Sequence, residues 1–214
     1  MTRHHFDDNM DIHRELLSFS DALAFLEEVE ADSNIKEYCN GSNQSGRWIF
    51  QIYNTEFIKE MASVINRTLE CREDNGPVLE VMCGDGRLTE FLRPLIQREI
   101  IATDAKDGRY PIPYPKWIES LEALESIDRY NPSFIILSWE PYLSMAGIDI
   151  VQRGIPTVWI GNPEMCGHLD LFKIPHVPLK SPYALSRHDS FRQRKFKTDI
   201  FLFSCDLDCV TKSR

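Results

Sequence analysis

Residues 78–92 read VLEVMCGDGRLTEFL, and this stretch decides the fold. Its first five residues are apolar apart from Glu80, as in a buried strand. Gly84 and Gly86 follow in a short turn, and a helical pattern begins at Arg87. Glycines in such a turn let the backbone approach a ligand closely and adopt dihedral angles closed to other residues. The stretch therefore predicts a tight turn between a strand and a helix, with an acid inside the strand.

Four further apolar runs continue this pattern. They are EIIAT (99–103), SFIILS (133–138), PTVWI (156–160) and DIFLFS (199–204). We expect helices between the runs, over Arg87 to Ile96, Glu119 to Tyr130 and Tyr142 to Arg153. Nearly continuous apolar runs that alternate with helices are typical of buried parallel strands with helices on both faces. The predicted fold class is α/β, with a doubly wound and mostly parallel sheet.

An N-terminal helical extension precedes this pattern. Residues 11–30 carry apolar side chains at helical spacing, and the stretch NGSNQSG (40–46) has the composition of a loop. Another helix is expected from about Thr55, with Asn54 as its N-cap. We therefore divide the chain into an extension, residues 1–45, and a Rossmann-like domain, residues 46–214.

Composition restricts the classes of function. The formal net charge of the 214-residue chain is −9, which argues against a nucleic-acid partner because duplex binding needs many Lys and Arg contacts. No run of about 18 apolar residues predicts a membrane span, and the charged N-terminus lacks the apolar core of a signal peptide. The six cysteines form no paired array with zinc-ligand spacing, so we predict reduced thiols and no metal site. These features together predict a cytoplasmic protein.

A second acid follows the second run, which ends in Asp104. In doubly wound sheets, ligands bind outside the carboxyl ends of the strands, where an acid can accept hydrogen bonds from both hydroxyls of a ribose. The turn lacks the full G-x-G-x-x-G of nicotinamide-dependent oxidoreductases, and Asp85 stands where it would repel a pyrophosphate. A carboxylate at this position is compatible with a cofactor that carries no phosphate.

These residues resemble a known family. VLEVMCGDGRLTEFL is similar to the first motif of class I S-adenosylmethionine-dependent methyltransferases, and IIATD is similar to their second. IESLEALESI and SFIILSWEPY resemble the third-strand and fourth-strand regions, so the resemblance covers about residues 47 to 204. RWIFQIYNTEFIKEM, SWEPY and IGNPEMCGH further resemble a poorly characterised subgroup with a Trp-Pro-Pro-Tyr-type fourth motif.

The resemblance implies S-adenosylmethionine as the cofactor and assigns roles to residues. Glu80 would lie near the methionine amino group, the loop Cys83 to Gly86 would wrap the methionyl and sugar parts, and Asp104 would bind the ribose. Glu122 or its neighbour Leu121 would border the adenine. The full predicted cofactor site is Glu80, Met82, Cys83, Gly84, Asp85, Gly86, Asp104, Ala105, Leu121, Glu122 and Ser138.

Two positions depart from the family pattern. Met82 replaces the usual first glycine of the loop and would crowd the cofactor unless its side chain turns toward the sheet. Glu140 replaces the first of two prolines in the fourth motif. Either departure is compatible with a changed substrate or with lost catalysis.

The methyl acceptor is expected where the fourth strand ends, at Ser138 to Tyr142. A carboxylate at Glu140 could hold a cationic acceptor or act as base, and a proline-aromatic turn offers carbonyls and a ring face. His168, after the fifth strand, is a further candidate base. The predicted catalytic residues are therefore Glu140, Tyr142 and His168, although a plain strand-to-helix turn at 138–142 and a bystander histidine are the structural alternatives.

Two functions follow from these expectations. The first is a methyltransferase that acts on a small-molecule or protein acceptor, with an amine as one candidate. The second is a non-catalytic, cofactor-binding relative that serves as a scaffold or regulatory partner, and the departures at Met82 and Glu140 support it. A fold alone does not decide between them.

Overall fold

The predicted apolar runs form the strands of one mixed sheet. The computed structural model describes residues 7, 10–32 and 34–206. Its strands are β1 Gln51–Ile52, β2 Val78–Val81, β3 Ile100–Asp104, β4 Glu119–Ser120, β5 Phe134–Ser138, β6 Thr157–Gly161, β7 His176–Pro178, β8 Leu185–Ser186 and β9 Asp199–Phe203. Its helices are α1 Phe19–Asp32, α2 Ile35–Cys39, α3 Thr55–Glu70, α4 Arg87–Leu92, α5 Ala123–Tyr130 and α6 Ala146–Val151, with a 3₁₀ helix at Leu169–Lys173.

Within the described residues, seven strands pair in the order β4-β3-β2-β5-β6-β9-β7. All are parallel except β9, which runs antiparallel to both β6 and β7. The chain leaves β2 toward β3 and β4, then crosses back to place β5 on the other side of β2. The order therefore reverses between β2 and β5, and such a reversal opens a crevice at the carboxyl ends of the strands.

Helices cover both faces of the sheet. The buried side chains of α3, including Phe57, Ile58 and Met61, pack with α4 on one face. On the other face, Ile127 of α5 and Ile148 of α6 pack against alternate strand residues. Layers on both faces confirm the predicted class, an α/β fold with a doubly wound, mostly parallel sheet.

The N-terminal helices have a core of their own that is shared with later parts of the chain. Phe25 and Leu26 of α1 are buried together with Ile52 of β1 and with Leu185 and Phe191. Strands β1 and β8 pair antiparallel in a small second sheet beneath them. The extension is therefore helical, as predicted, and it packs on the sheet domain. Its boundary at residue 45 stays a prediction.

Several predicted elements differ in extent. The first helix begins at Phe19 rather than near residue 11, and α6 is confined to Ala146–Val151. The expected helix from Glu119 is wrong at its start, because Glu119 and Ser120 pair with β3 as edge strand β4. Asn54 is the N-cap of α3 as predicted, since its side chain accepts from the Phe57 amide.

Among the five cysteines of the described residues, four agree with the prediction of reduced thiols. Cys39, Cys83, Cys166 and Cys205 are free. Cys71 is disulfide-bonded, so the prediction of six reduced thiols is wrong. In the described part of the chain no helix has both the length and the apolar character needed to cross a membrane.

Candidate functional site

A cavity of about 580 Å³ opens at the reversal point of the sheet. Its floor is formed by the loops that follow β2, β3, β5 and β6. His13 of the extension and residues 48–53, with the segments around residues 110 and 188, form its roof. Eleven predicted site residues line it: Glu80, Met82, Cys83, Gly84, Asp85, Asp104, Ala105, Glu122, Ser138, Glu140 and Tyr142. Gly86, Leu121 and His168 are not among the lining residues.

The glycine loop has the tight geometry that its sequence requires. The Gly86 amide donates to the Cys83 carbonyl at 3.0 Å, and Gly86 starts α4 with φ +73°. A Cβ at Gly86 would lie 2.5 Å from the Trp117 ring. Both the left-handed dihedral and the close ring demand glycine here.

Asp104 joins the glycine loop to the loop after β3. One carboxylate oxygen accepts from the Gly84 amide at 2.9 Å, and the other accepts from the Lys106 amide at 2.8 Å. An ionised carboxylate has about four acceptor positions, so it can accept further hydrogen bonds from a ligand in the cavity. Ala105 lines the cavity beside it, and the neighbouring Leu121 amide donates to the Asp104 carbonyl.

The Glu80 side chain is almost completely buried. Its side chain is 2% exposed and accepts from the Thr89 hydroxyl. Burial raises the pKa of Glu80 to about 8, although the bonds from Thr89 oppose the shift. A cationic ligand group in the cavity would favour the ionised form, so this carboxyl is suited to respond to positive charge.

Three non-glycine residues that line the cavity adopt left-handed dihedrals, and Leu143, with φ +61°, is one of them. Met82 follows β2 with φ +53°, and Trp139 follows β5 with φ +56°. Such residues cost on the order of 1–3 kcal/mol and are held only by strong surrounding contacts. Met82 packs against the apolar cluster on the α5 face of the sheet and also lines the cavity.

The Glu140 carboxylate is buried, whereas the sequence predicted that it faces the acceptor. It is 0% exposed, and its Oε1 accepts from the Gly147 amide at 2.7 Å. A Cβ at Gly147 would lie 2.3 Å from its Oε2, and burial raises the pKa of Glu140. The side chain therefore fills the space under the start of α6 and has no exposed surface to offer an acceptor.

The other residues predicted for the acceptor side and its neighbourhood lie at different positions relative to the cavity. Tyr142 lies at the cavity mouth and is 59% exposed. Ser138 lines the cavity and is hydrogen-bonded to Tyr53. His168 precedes the 3₁₀ helix, where its ring accepts from the Asp170 amide at 3.1 Å. Glu122 lines the cavity at the position that precedes α5.

Sequence reasoning missed the ion pairs that attach the extension to the glycine loop. The Arg47 guanidinium forks between Asp11, at 3.1 Å, and Asp85 of the loop. Burial acts to raise the pKa of Asp11, but the bonds from Arg47 and the His13 amide outweigh it and lower that pKa. Burial raises the pKa of Asp85, and Arg47 opposes that shift. No local pattern indicates a contact between residues 38 positions apart.

His13 and Tyr53 also contact each other beside the glycine loop and line the cavity. The two rings stack at 4.8 Å, and the Tyr53 amide donates to Nε2 of His13 at 3.1 Å. Burial lowers the pKa of His13 to about 3, so the ring is neutral. Arg87 of α4 donates to the His13 carbonyl, which ties the segment before α1 to the helix after the glycine loop.

Aromatic rings form the roof on the acceptor side. Phe50 packs against Tyr110 at 5.5 Å and against Trp139 at 5.9 Å, and Trp48 packs against Tyr110 at 5.3 Å. His188 stacks on Trp139 at 5.3 Å, and burial lowers the pKa of His188 to about 4. The Trp139 indole donates to Gln51 at 2.9 Å. These contacts fix a wall of ring faces and a neutral histidine above the end of β5.

No protein-family model and no curated protein matches this sequence. Among solved structures, a Thermoplasma acidophilum protein is 14% identical over 69% of this chain and 85% of its own, with a TM-score of 0.36. The plantazolicin methyltransferase BpumL in complex with SAH is 10% identical over 88% and 99%, with a TM-score of 0.41. Human N-acetylserotonin methyltransferase in complex with SAM is 12% identical over 90% and 57%, with a TM-score of 0.38. At TM-scores below 0.5 these likenesses carry no argument about what this chain binds or does.

Proposed function

We propose that this chain is an S-adenosylmethionine-dependent methyltransferase that acts on a small-molecule or protein acceptor. The observation that carries the proposal is the carboxylate of Asp104, which is bonded to the glycine loop and lines a cavity at the reversal point of the sheet. This is where a doubly wound sheet holds the ribose of a nucleoside ligand. The sequence resemblance supplies the identity of that nucleoside.

The cavity offers complementary groups for each part of the cofactor. In our proposal, Asp104 and Ala105 hold the ribose, and Glu122, with Leu121 behind it, borders the adenine. The methionyl part runs along Met82, Cys83, Gly84, Asp85 and Gly86. Glu80 lies on the side of the amino group, where its raised pKa makes it responsive to a cation. Ser138 lies at the junction with the acceptor side.

When bound, the cofactor would supply a methyl group on a sulfonium, which an acceptor lone pair would take while the carbon–sulfur electron pair stays on sulfur. An amine or hydroxyl acceptor would also give up a proton, to water at the cavity mouth or to a base. The protein's task is then to align the two reactants and to exclude water. The aromatic roof excludes water above the end of β5. Tyr142, at the mouth, is the predicted catalytic residue best situated to contact an acceptor. Glu140 would have to break its hydrogen bond with the Gly147 amide to contact an acceptor. His168 would have to break its hydrogen bond with the Asp170 amide at the start of the 3₁₀ helix.

Calorimetry with S-adenosylhomocysteine tests the cofactor assignment, with NAD as the control ligand. We expect binding of the first ligand and a melting temperature that rises with its concentration. The NAD arm matters because Arg47 offsets the charge of Asp85, which weakens the sequence argument against a phosphate-bearing cofactor. Stabilisation by NAD alone would refute the assignment.

A non-catalytic cofactor-binding protein is the second candidate. The full burial of the Glu140 carboxylate favours it, because the predicted base has no exposed surface. A transfer assay with labelled donor against a metabolite pool and a protein extract separates the two candidates. Cofactor binding without labelling of any acceptor would support the second candidate over the first.

A further inference from the structure

Exposed apolar side chains concentrate at the mouth of the cavity. Five of the eight large apolar side chains exposed in the described part of the chain lie between residues 142 and 169. They are Tyr142, Leu143, Met145, Met165 and Leu169, each between 46% and 60% exposed. We call these five residues the apolar rim. A concentration of exposed apolar side chains of this kind marks a binding surface rather than ordinary surface.

Three of the five rim residues belong to the cavity wall. The Leu143 amide donates to the Gly167 carbonyl at 3.0 Å, and Tyr142 and Gly167 form an isolated bridge. These bonds hold the two rim loops side by side. Tyr142, Leu143 and Met165 also line the cavity itself. A ligand that fills the acceptor side therefore meets the rim at Tyr142, Leu143 and Met165.

The charges of the lining select against an anionic acceptor. Among the described residues that line the cavity, six carry carboxyl groups, but the Glu140 carboxylate has no exposed surface and burial raises the pKa of Glu80 to about 8. The acidic groups that remain are those of Asp85, Asp104, Asp107 and Glu122, and the single lining guanidinium, that of Arg109, lies 3.4 Å from Asp107. The lining histidines are neutral, since burial lowers the pKa of His13 to about 3 and of His188 to about 4. The ring face of Trp48 is a surface to which a cation is attracted, whereas the Phe50 ring already carries the Arg187 guanidinium at 4.9 Å and Trp139 carries the stacked ring of His188. An amine suits this lining, whereas a phosphate or carboxylate would find no unpaired cation in it.

We propose that the acceptor is an amphiphilic amine, a small molecule whose amine enters the acidic, ring-lined cavity while its apolar body lies on the apolar rim. This inference rests on the proposed function only where it calls the bound molecule a methyl acceptor. The expected binding of the amine does not depend on that function, because the rim and the cavity would recognise the molecule whether or not a methyl group is transferred. Methionine side chains at two of the five rim positions can adapt to apolar bodies of different shape.

The test measures binding of octylamine, butylamine and octanoate to the protein saturated with S-adenosylhomocysteine. We expect octylamine to bind at least about tenfold more tightly than butylamine, because each buried methylene adds to the affinity. Octanoate, of equal chain length and opposite charge, should bind at least about tenfold more weakly than octylamine. Equal affinity for octylamine and butylamine, or for octylamine and octanoate, would overturn the proposal.

Variants separate the rim from general hydrophobicity. Leu169→Asp and Leu143→Asp should each weaken octylamine binding by about tenfold and leave butylamine binding nearly unchanged. The matched control is Leu95→Asp, because Leu95 is also exposed but lies between α4 and β3 and does not line the cavity. If the control weakens octylamine binding as much as the rim variants do, the rim is not the site.

Failure of the proposed function would look different. In that case S-adenosylhomocysteine would not bind, and the chain-length and charge dependence would still appear in the free protein. Rim variants that keep wild-type melting temperature and S-adenosylhomocysteine affinity exclude misfolding as the cause of lost octylamine binding. A peptide with apolar residues around a lysine that binds while octylamine does not would overturn the small-molecule assignment.

Discussion

Asp104 serves both the loops and the proposed ligand. It accepts from the amides of Gly84 and Lys106, so its removal leaves two amides without partners. We expect Asp104→Ala to lower S-adenosylhomocysteine affinity by about 1–3 kcal/mol, the usual loss for charge-assisted bonds. The structure also predicts a loss of about 1–2 kcal/mol of stability in the free protein, which the sequence alone did not predict.

Calorimetry and urea unfolding of the same preparation measure these two effects. Asp104→Asn is the matched control, because its amide keeps one acceptor oxygen and loses the charge. Unchanged ligand affinity in Asp104→Ala, despite lower stability, would make Asp104 a structural residue only.

Glu80 should make stability depend on pH. The pKa of Glu80 is about 8 in the folded protein, above its ordinary value of 4.5. The folded state therefore holds a proton that the unfolded state loses, and the free energy of unfolding should fall as pH rises from about 4.5 to about 8. The slope from this group is at most about 1.4 kcal/mol per pH unit.

Urea unfolding between pH 5 and pH 8.5 checks this expectation. Glu80→Gln should reduce the decline, since the amide resembles the protonated carboxyl and does not titrate. A decline equally steep in the variant would show that other groups cause it.

At the scale of elements, the extension is fastened to the glycine loop through Arg47. Its guanidinium is shared between Asp11 and Asp85, and Asp11 is almost fully buried. Arg47→Ala would leave the Asp11 carboxylate uncompensated, so we expect a loss of about 3 kcal/mol of stability. We also expect faster hydrogen exchange in residues 10–17 and weaker S-adenosylhomocysteine binding, because the loop loses its restraint.

A double-mutant cycle with Asp11→Asn isolates the pair. The double variant should recover part of the stability, because the buried charge is gone. Arg47→Lys serves as a second control, since a lysine cannot make the same forked contact. Exchange rates in residues 10–17 that stay at wild-type values in Arg47→Ala would refute this role.

At the scale of the whole molecule, the extension is part of the core rather than an appendage. Phe25 and Leu26 are fully buried against Ile52, Leu185 and Phe191. A chain limited to residues 46–214 would expose the last three to water. We expect this truncation to lose cooperative thermal unfolding and to aggregate, whereas the full chain melts in a single transition.

Calorimetric melting and light scattering of the two chains test this expectation. The outcome that would contradict it is a truncated chain that melts cooperatively and binds S-adenosylhomocysteine as the full chain does. Residues 46–214 would then be an independent domain, in agreement with the division made from sequence.

The sequence by itself determined the elements and their order. Apolar runs of strand length, the glycine turn at residues 84–86 and the acid at Asp104 are local patterns, and local patterns indicate the α/β class and the edge of the sheet where the cavity opens. Short edge strands such as Glu119–Ser120 escaped prediction, because two residues carry too little periodicity.

Only the tertiary structure decided what closes the cavity and which side chains face it. The contacts of Arg47 with Asp85 and of Trp139 with His188 join residues far apart in the chain, and no local pattern records them. Glu140 occupies a strand-end position that looks catalytic in sequence, yet the space beside Gly147 takes its carboxylate out of the cavity. The physical reason is that a side chain's environment is set by packing among distant segments, whereas its element is set by its neighbours in sequence.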